Sequence, residues 1–380
     1  MMNPHNKITV LGLLSHSTML ENHRIIHGVC YARIINPLLY LDPEKFEVSI
    51  RMDPLKHDPY IRDDNKKNFV NWRGVASYYD IILYSYTVSP QWYVNMAFHA
   101  DKFGSTVIMD IDDNIWEVPA RSGAYDAFHP GSPEIQVVEA QIANNKYLVT
   151  TKELTKKSIS RHTGAPVEKF FVNPNYIDLT IYDASRIERK ADDKIRICYF
   201  GTNTHFDDIA NNRGLVRAID KLILKYDNLE IFTIGFFLPE LKSRWKKHYF
   251  SMTGDRDVYG WAKNLWVQIM SMADIAIAPL LVTNFTSCKS NIKYLECAAA
   301  KKPTVCQKID QYESTITNGV DGYLAETEDE WFDYLDGLIS SKELREKIGN
   351  AAYKNIVDNH QIQSNHKKFE DYLTFVDKDS

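Results

Sequence analysis

Two lysines and a glutamate, with a serine and an asparagine between them, follow closely after the apolar run that ends at Pro279: Lys289, Ser290, Asn291, Lys293 and Glu296. A strand, a loop and a helix start in that order put free backbone N–H groups and the positive end of a helix dipole beside two ammonium groups. The helix is expected to begin near Lys289 or Ser290, with Ser290 and Asn291 as cap or first-turn residues. Lys293 stands four residues after Lys289 and three before Glu296, so all three can share one helix face. A cation for a diphosphate and a carboxylate for ribose hydroxyls on one face would span the polar parts of a nucleotide. The competing reading is a solvated, salt-bridged helix face.

Further candidates sit where apolar runs end. The run "RICYFG" leads into Gly201, where a ligand can approach the backbone, and then into a polar loop with Thr202 and His205. A histidine near its ordinary pKa of about 6.5 can stabilise or protonate a departing phosphate, or simply cap the local backbone. Gly12 is read as following the first strand, open to the approach of a ligand. Asp112 and Asp113 follow the run "TVIMDI" and can cap the next helix or hold a metal.

The elements that must position these residues follow from the pattern of short β-rich runs alternating with helical stretches, the mark of parallel sheets flanked by helices. The first half carries "ITVLGLL", "FEVSIRM", "DIILYSY", "STVIMDI" and "KYLVTT"; the second begins again at "KIRICYFG" and continues through "LEIFTIGFF", "ADIAIAPL" and "KPTVCQ". The stretch "ENHRIIHGVCYARIINPLLYL" is read as the first crossover helix. We expect an N-terminal Rossmann-like domain over 1–176, a linker over 177–193 and a C-terminal Rossmann-like domain over 194–355. The remainder, 356–380, is expected to be a helix that packs back on the N-terminal domain.

With 380 residues, 44% hydrophobic and 25% charged, the chain has the composition of a globular protein of two cores. A net charge of -5 does not favour nucleic acid as a partner. Five scattered cysteines lack zinc-site spacing and fit a reduced cytoplasm. The N-terminal apolar run is too short for a membrane span.

The region from "MADIAIAPL" through "KSNIKYLE", with "NGVDGYLAETEDEWFDYLDGLI" after it, resembles the donor-binding part of glycosyltransferase family four (group 1). The resemblance implies an α/β fold of the GT-B type, two facing Rossmann-like domains with a cleft between them. It also implies a retaining transfer from a nucleotide diphosphate sugar, with no metal and no cofactor besides that substrate. Glu296 matches the glutamate that holds the ribose, whereas Cys288 stands where the family commonly has a first glutamate touching the sugar. Gly201, Thr202 and His205 fall in the loop that faces the diphosphate; where many members use an arginine and a lysine, this chain offers His205, with Arg213 and Arg217 further on. Asp112 and Asp113 occupy the place of a histidine and an aspartate at a strand end. Arg33 is expected to face the cleft or form a surface ion pair, and Asn175 and Asp178 to fix a turn.

Catalytic roles are therefore expected for Asp112, Asp113, His205 and Lys289, and donor binding for Gly12, Gly201, Thr202, Ser290, Asn291, Lys293 and Glu296. A saccharide acceptor ranks first and nucleic acid last. Two rivals remain: a non-catalytic binding or scaffold protein of the same fold, which Cys288 makes plausible, and an epimerase or phosphorylase. Phosphorylases of that kind need a pyridoxal phosphate lysine, and no lysine is singled out for it.

Overall fold

The computed structural model describes residues 7–14, 17–20, 23–26, 30–52, 71–189, 192–201, 205–252 and 263–379. By its contacts the chain divides into two units, 1–116 with 127–175 and 362–380, and 117–126 with 176–361.

The first unit is built on β1 (Ile8–Leu14), β4 (Phe46–Met52), β5 (Ile81–Ser85), β6 (Thr106–Asp110), β7 (Tyr147–Thr150) and β8 (Phe170–Val172), with a separate hairpin of β2 (Ser17–Leu20) and β3 (His23–Ile26). The six strands form one parallel sheet in the order β4-β1-β5-β6-β7-β8. Every residue of β5 and β7 is buried, as expected of parallel strands covered on both faces. The stretch read as one crossover helix divides: His23–Ile26 pairs as a strand, and the helical part is a π turn, Tyr31–Ile35, continued by Asn36–Leu39. Pro37 is tolerated because it opens the α-helical turn. The helix Lys367–Lys378 buries Phe369, Leu373 and Val376 against the face formed by Val10, Ile81 and Ile108. Each such side chain contributes about 1.5–3 kcal/mol.

The second unit carries β9 (Ile195–Phe200), β10 (Leu229–Ile234), β11 (Tyr249–Ser251), β12 (Ile275–Ala278), β13 (Thr304–Gln307) and β14 (Tyr323–Ala325). Their order is β11-β10-β9-β12-β13-β14, all parallel. Counted within the sheet this is 3-2-1-4-5-6, the Rossmann order, whose reversal between β9 and β12 opens a crevice at the carboxyl ends of those two strands. Alternate residues of β9 face opposite cores: Ile197 and Tyr199 one, Cys198 and Phe200 the other. Helix Arg213–Lys225 covers one face through Leu215, Val216, Ala218, Ile219 and Leu222, and Asn212 caps it by accepting from Leu215 N–H at 3.1 Å. Helix Glu328–Ser340 starts from a capping box of Thr327 and Glu330. Among the described residues no helix is long and apolar enough to cross a membrane.

Candidate functional site

The crevice between β9 and β12 is lined from three directions. Gly201 follows β9 directly, and His205 opens the short helix Phe206–Ala210. A Cβ on Gly201 would lie 3.2 Å from both Cβ and Cδ2 of His205, so the absent side chain is what admits the imidazole. Behind Gly201, Gly235 at the end of β10 has φ +91°, and a Cβ there would sit 2.1 Å from the Gly201 carbonyl oxygen. Thr202 lies outside the described residues.

From β12 the chain runs through Pro279 into the short helix Asn284–Ser287, closed by a capping box of Thr283 and Thr286. The main helix begins at Ile292 and runs to Ala299, later than the expected start near Lys289 or Ser290. The Thr283 cap takes up a turn of its own, so Cys288 to Asn291 become the bend between two helices. Asn291 holds the cap position, but its side chain donates to Thr315 Oγ1 at 2.9 Å instead of capping the helix. Ser290 stands just before it, half-buried.

Lys293 and Glu296 both lie in that helix and both are 9% exposed, so the solvated-face reading does not hold for them. The Lys293 ammonium sits 5.4 Å from the ring centre of Phe200 and 6.0 Å from that of Tyr199. Among the described residues it forms no hydrogen bond or ion pair. Burial, then the nearby Lys289 charge, pull its pKa down to about 8, and Asp208 and Glu296 offset this only in part. The Lys289 ammonium lies 4.4 Å over the Phe285 ring. Two cations are thus held close together in an apolar setting, an arrangement that an incoming anion relieves.

His205 differs from the expectation of an ordinary histidine. Burial and the charge of Lys293 bring its pKa down to about 4, although the hydrogen bond with Asp208 works the other way. Burial thus works against a charged ring in the free protein. Its Nδ1 lies 2.7 Å from Asp208 Oδ2, and Asp208 Oδ1 accepts from Leu281 N–H at 3.0 Å, which ties the loop after β9 to the loop after β12. The hydroxyl of Tyr199, buried and raised in pKa by burial and by Asp208, has no hydrogen-bond partner among the described residues. The sequence reading had Asp208 in the polar loop after Gly201 but gave it no role, though its spacing of three residues after His205 was visible.

Cys288, where the resemblance puts a first glutamate, is buried at 2% exposure. Arg213 is exposed, and Arg217 forms a surface pair with Glu328 at 3.6 Å, so neither joins the cluster.

The remaining candidates belong to the first unit. Gly12 lies inside β1, not after it, and its missing side chain is replaced by Leu38 and Ile34, whose atoms would come within 2.5 and 2.9 Å of a Cβ. The residue serves close packing of helix on strand. Asp112 and Asp113 are half-buried in the loop after β6, near enough to Tyr86 to help burial hold its phenol well above the usual range. Among the described residues no group of three His, Cys, Asp or Glu side chains is placed to hold a metal ion. The third acid of that run, Asp110, is 2% exposed and pairs with Arg33 at 2.7 Å. Arg33 is itself 1% exposed, neither a surface ion pair nor an open side chain. It also donates to Asn173 O at 2.5 Å and Asn175 Oδ1 at 3.1 Å. Asp178, expected to fix a turn, caps helix Leu179–Ser185 by accepting from Thr180 N–H.

Residues 194–341, the body of the second unit, match the family model of glycosyl transferases group 1. No curated protein matches the chain by sequence. Among solved structures, a glycosyltransferase from Rickettsia africae is similar over 99% of this chain and 100% of its own, with 14% identity and a TM-score of 0.66. HepE of Anabaena, in complex with UDP and glucose, is similar over 97% and 100%, with 11% identity and a TM-score of 0.66. Sucrose-phosphate synthase of Thermosynechococcus elongatus is similar over 98% and 100%, with 10% identity and a TM-score of 0.64. At these identities the likeness is one of fold, the GT-B fold of two parallel six-stranded sheets.

Proposed function

We propose that this chain, a glycosyltransferase by its group 1 domain, moves a sugar from a nucleoside diphosphate donor to a hydroxyl of a saccharide acceptor. The observation that carries the reading is Lys293, a buried ammonium without a hydrogen-bonded anion among the described residues, next to Lys289 and to the free N–H groups of the helix that starts at Ile292. A diphosphate supplies the missing charge. Glu296, one turn further along the same helix, accepts the ribose hydroxyls. UDP is the first nucleotide to try, because HepE is seen with UDP and with UDP-glucose.

The transfer proceeds with retention and without metal: Lys289, Lys293 and the helix start stabilise the leaving diphosphate, and Asp112 or Asp113 assists the reacting sugar or orients the acceptor. We place the protein in the cytoplasm, in line with five scattered, buried cysteines. Calorimetry with UDP tests the site. Binding is expected, and Glu296→Gln weakens it by about 1.5–3 kcal/mol while leaving the fold intact. Activity that survives excess EDTA agrees with the metal-free reading, and activity that EDTA abolishes and magnesium restores overturns it. Product anomeric configuration, read by NMR, decides retention.

The second reading, a protein that binds the donor without transferring it, is favoured by one observation, the buried Cys288 in place of a sugar-contacting carboxylate. Tight UDP-sugar binding with no UDP released in the presence of any saccharide acceptor selects it.

A further inference from the structure

The carboxylate of Asp208, 5% exposed, divides its two oxygens between two loops. Oδ1 accepts from Leu281 N–H at 3.0 Å, and Oδ2 lies 2.7 Å from His205 Nδ1. A carboxylate oxygen accepts, so the Nδ1 of a ring holding one proton is the donor, and Nε2 carries a bare lone pair. The opposite edge of the ring rests on Gly201, where a Cβ would lie 3.2 Å from Cδ2. The imidazole is therefore held on both sides, and Nε2 is its one uncommitted polar atom among the described residues. Lys293 and Lys289, the cations whose charges it feels, oppose a second proton.

We propose that Asp208 is a positioning residue that locks His205 in the Nδ1–H form, so that Nε2 accepts a hydrogen bond from a hydroxyl of the donor's sugar. A bare nitrogen lone pair and a phosphate oxygen are both acceptors and do not bond each other, so the diphosphate is left to the lysines and the helix start. The inference rests on this crevice being the donor site. It separates two tasks within that site: charge neutralisation by Lys289 and Lys293, and reading of the sugar by a neutral imidazole whose tautomer is set from behind.

Long-range proton–nitrogen correlation spectra of the full chain, with His205 assigned by its loss in His205→Ala, test the tautomer without any ligand. Nδ1–H is expected in the wild type, and Nε2–H there overturns the proposal. Asp208→Asn keeps an oxygen for Leu281 N–H and turns an N–H toward the ring, which is expected to shift His205 to Nε2–H. UDP release from UDP-glucose or UDP-N-acetylglucosamine, whichever is turned over, is then expected to fall about 10- to 100-fold, as when the orienting partner of a functional histidine is lost. UDP affinity is expected to stay within about twofold in both Asp208→Asn and His205→Ala, the scatter of uncoupled sites. A clear loss of UDP affinity in His205→Ala assigns the ring to the diphosphate and overturns the hydroxyl assignment. Adding Asp208→Asn to His205→Ala is expected to cost nothing more in turnover; additive losses mean that Asp208 does not act through the ring. If wild-type protein binds no UDP at all, the donor-site reading fails, while the tautomer result stands on its own.

Discussion

Each unit buries charge at the carboxyl end of its sheet, but the two do so to opposite effect. In the first unit Arg33 meets Asp110 through Nε and one terminal nitrogen, and spends the other on Asn173 and Asn175. Positive and negative charge balance, every donor nitrogen is engaged, and the pair is closed to anything else. Burial raises the Asp110 pKa while Arg33 opposes the rise. In the second unit two ammonium groups press on one another and on an imidazole, with Asp208 and Glu296 offsetting them only in part. A buried ion pair that is complete holds a fold together; a buried cation that is not hydrogen-bonded is kept at a cost to stability, and the return is binding.

The comparison breaks most severely at the closed pair. Arg33→Met leaves the Asp110 carboxylate buried without its partner, and chemical denaturation is expected to show a loss of about 3–5 kcal/mol. Arg33→Met with Asp110→Leu is expected to recover much of it, since an apolar pair needs no compensation. Failure of the double variant to recover would mean that the bonds to Asn173 and Asn175, and not the charge balance, matter most.

Acid should act on the open site. Because the folded pKa of His205 is about 4 against an ordinary 6.5, the unfolded chain takes up a proton between these values that the folded chain does not. Stability from this residue is thus full above pH 6.5 and lost as pH falls toward 4, by about 3 kcal/mol in all. Urea unfolding of wild type and His205→Gln across that window is expected to show a shallower acid loss in the variant. Equal slopes would remove the histidine from the balance.

The smallest expected change has the more telling sign. Lys293→Met removes a charge that the fold holds at a depressed pKa, and is expected to raise stability by about 1–3 kcal/mol while weakening UDP affinity about tenfold or more. A destabilised variant would put Lys293 with the closed pair, as a structural cation.

The sheets were the most legible part of the sequence, because parallel strands buried on both faces read as unbroken apolar runs; β1, β5, β6, β9, β12 and β13 all fall within quoted runs. Tyr249–Ser251 passed unseen, since three residues carry no period. In the site, Lys293 and Glu296 were legible from helical spacing. The helix start was not, because Thr283 and Thr286 form their capping box before Ser290 and Asn291 can act as caps. Gly12 and Arg33 were misread for one reason: a sequence shows that a glycine leaves room or that an arginine carries charge, but not what comes to fill the room or meet the charge. Ile34 and Leu38 fill the one, and Asp110 meets the other, 77 positions along the chain.

The back-to-back glycines at the ends of β9 and β10 make the site vulnerable from a distance. Any side chain at Gly235 must displace the Gly201 carbonyl, 2.1 Å from where its first carbon would go, and Gly201 is the surface on which the His205 ring rests. The single-nucleotide neighbourhood of the gene therefore contains changes that would silence the crevice while every residue lining it keeps its identity. In a mutational survey scored for folding and for function separately, Gly235 is the position at which the two scores should part company without any contact to substrate, and a catalogue built only from lining residues would pass over it.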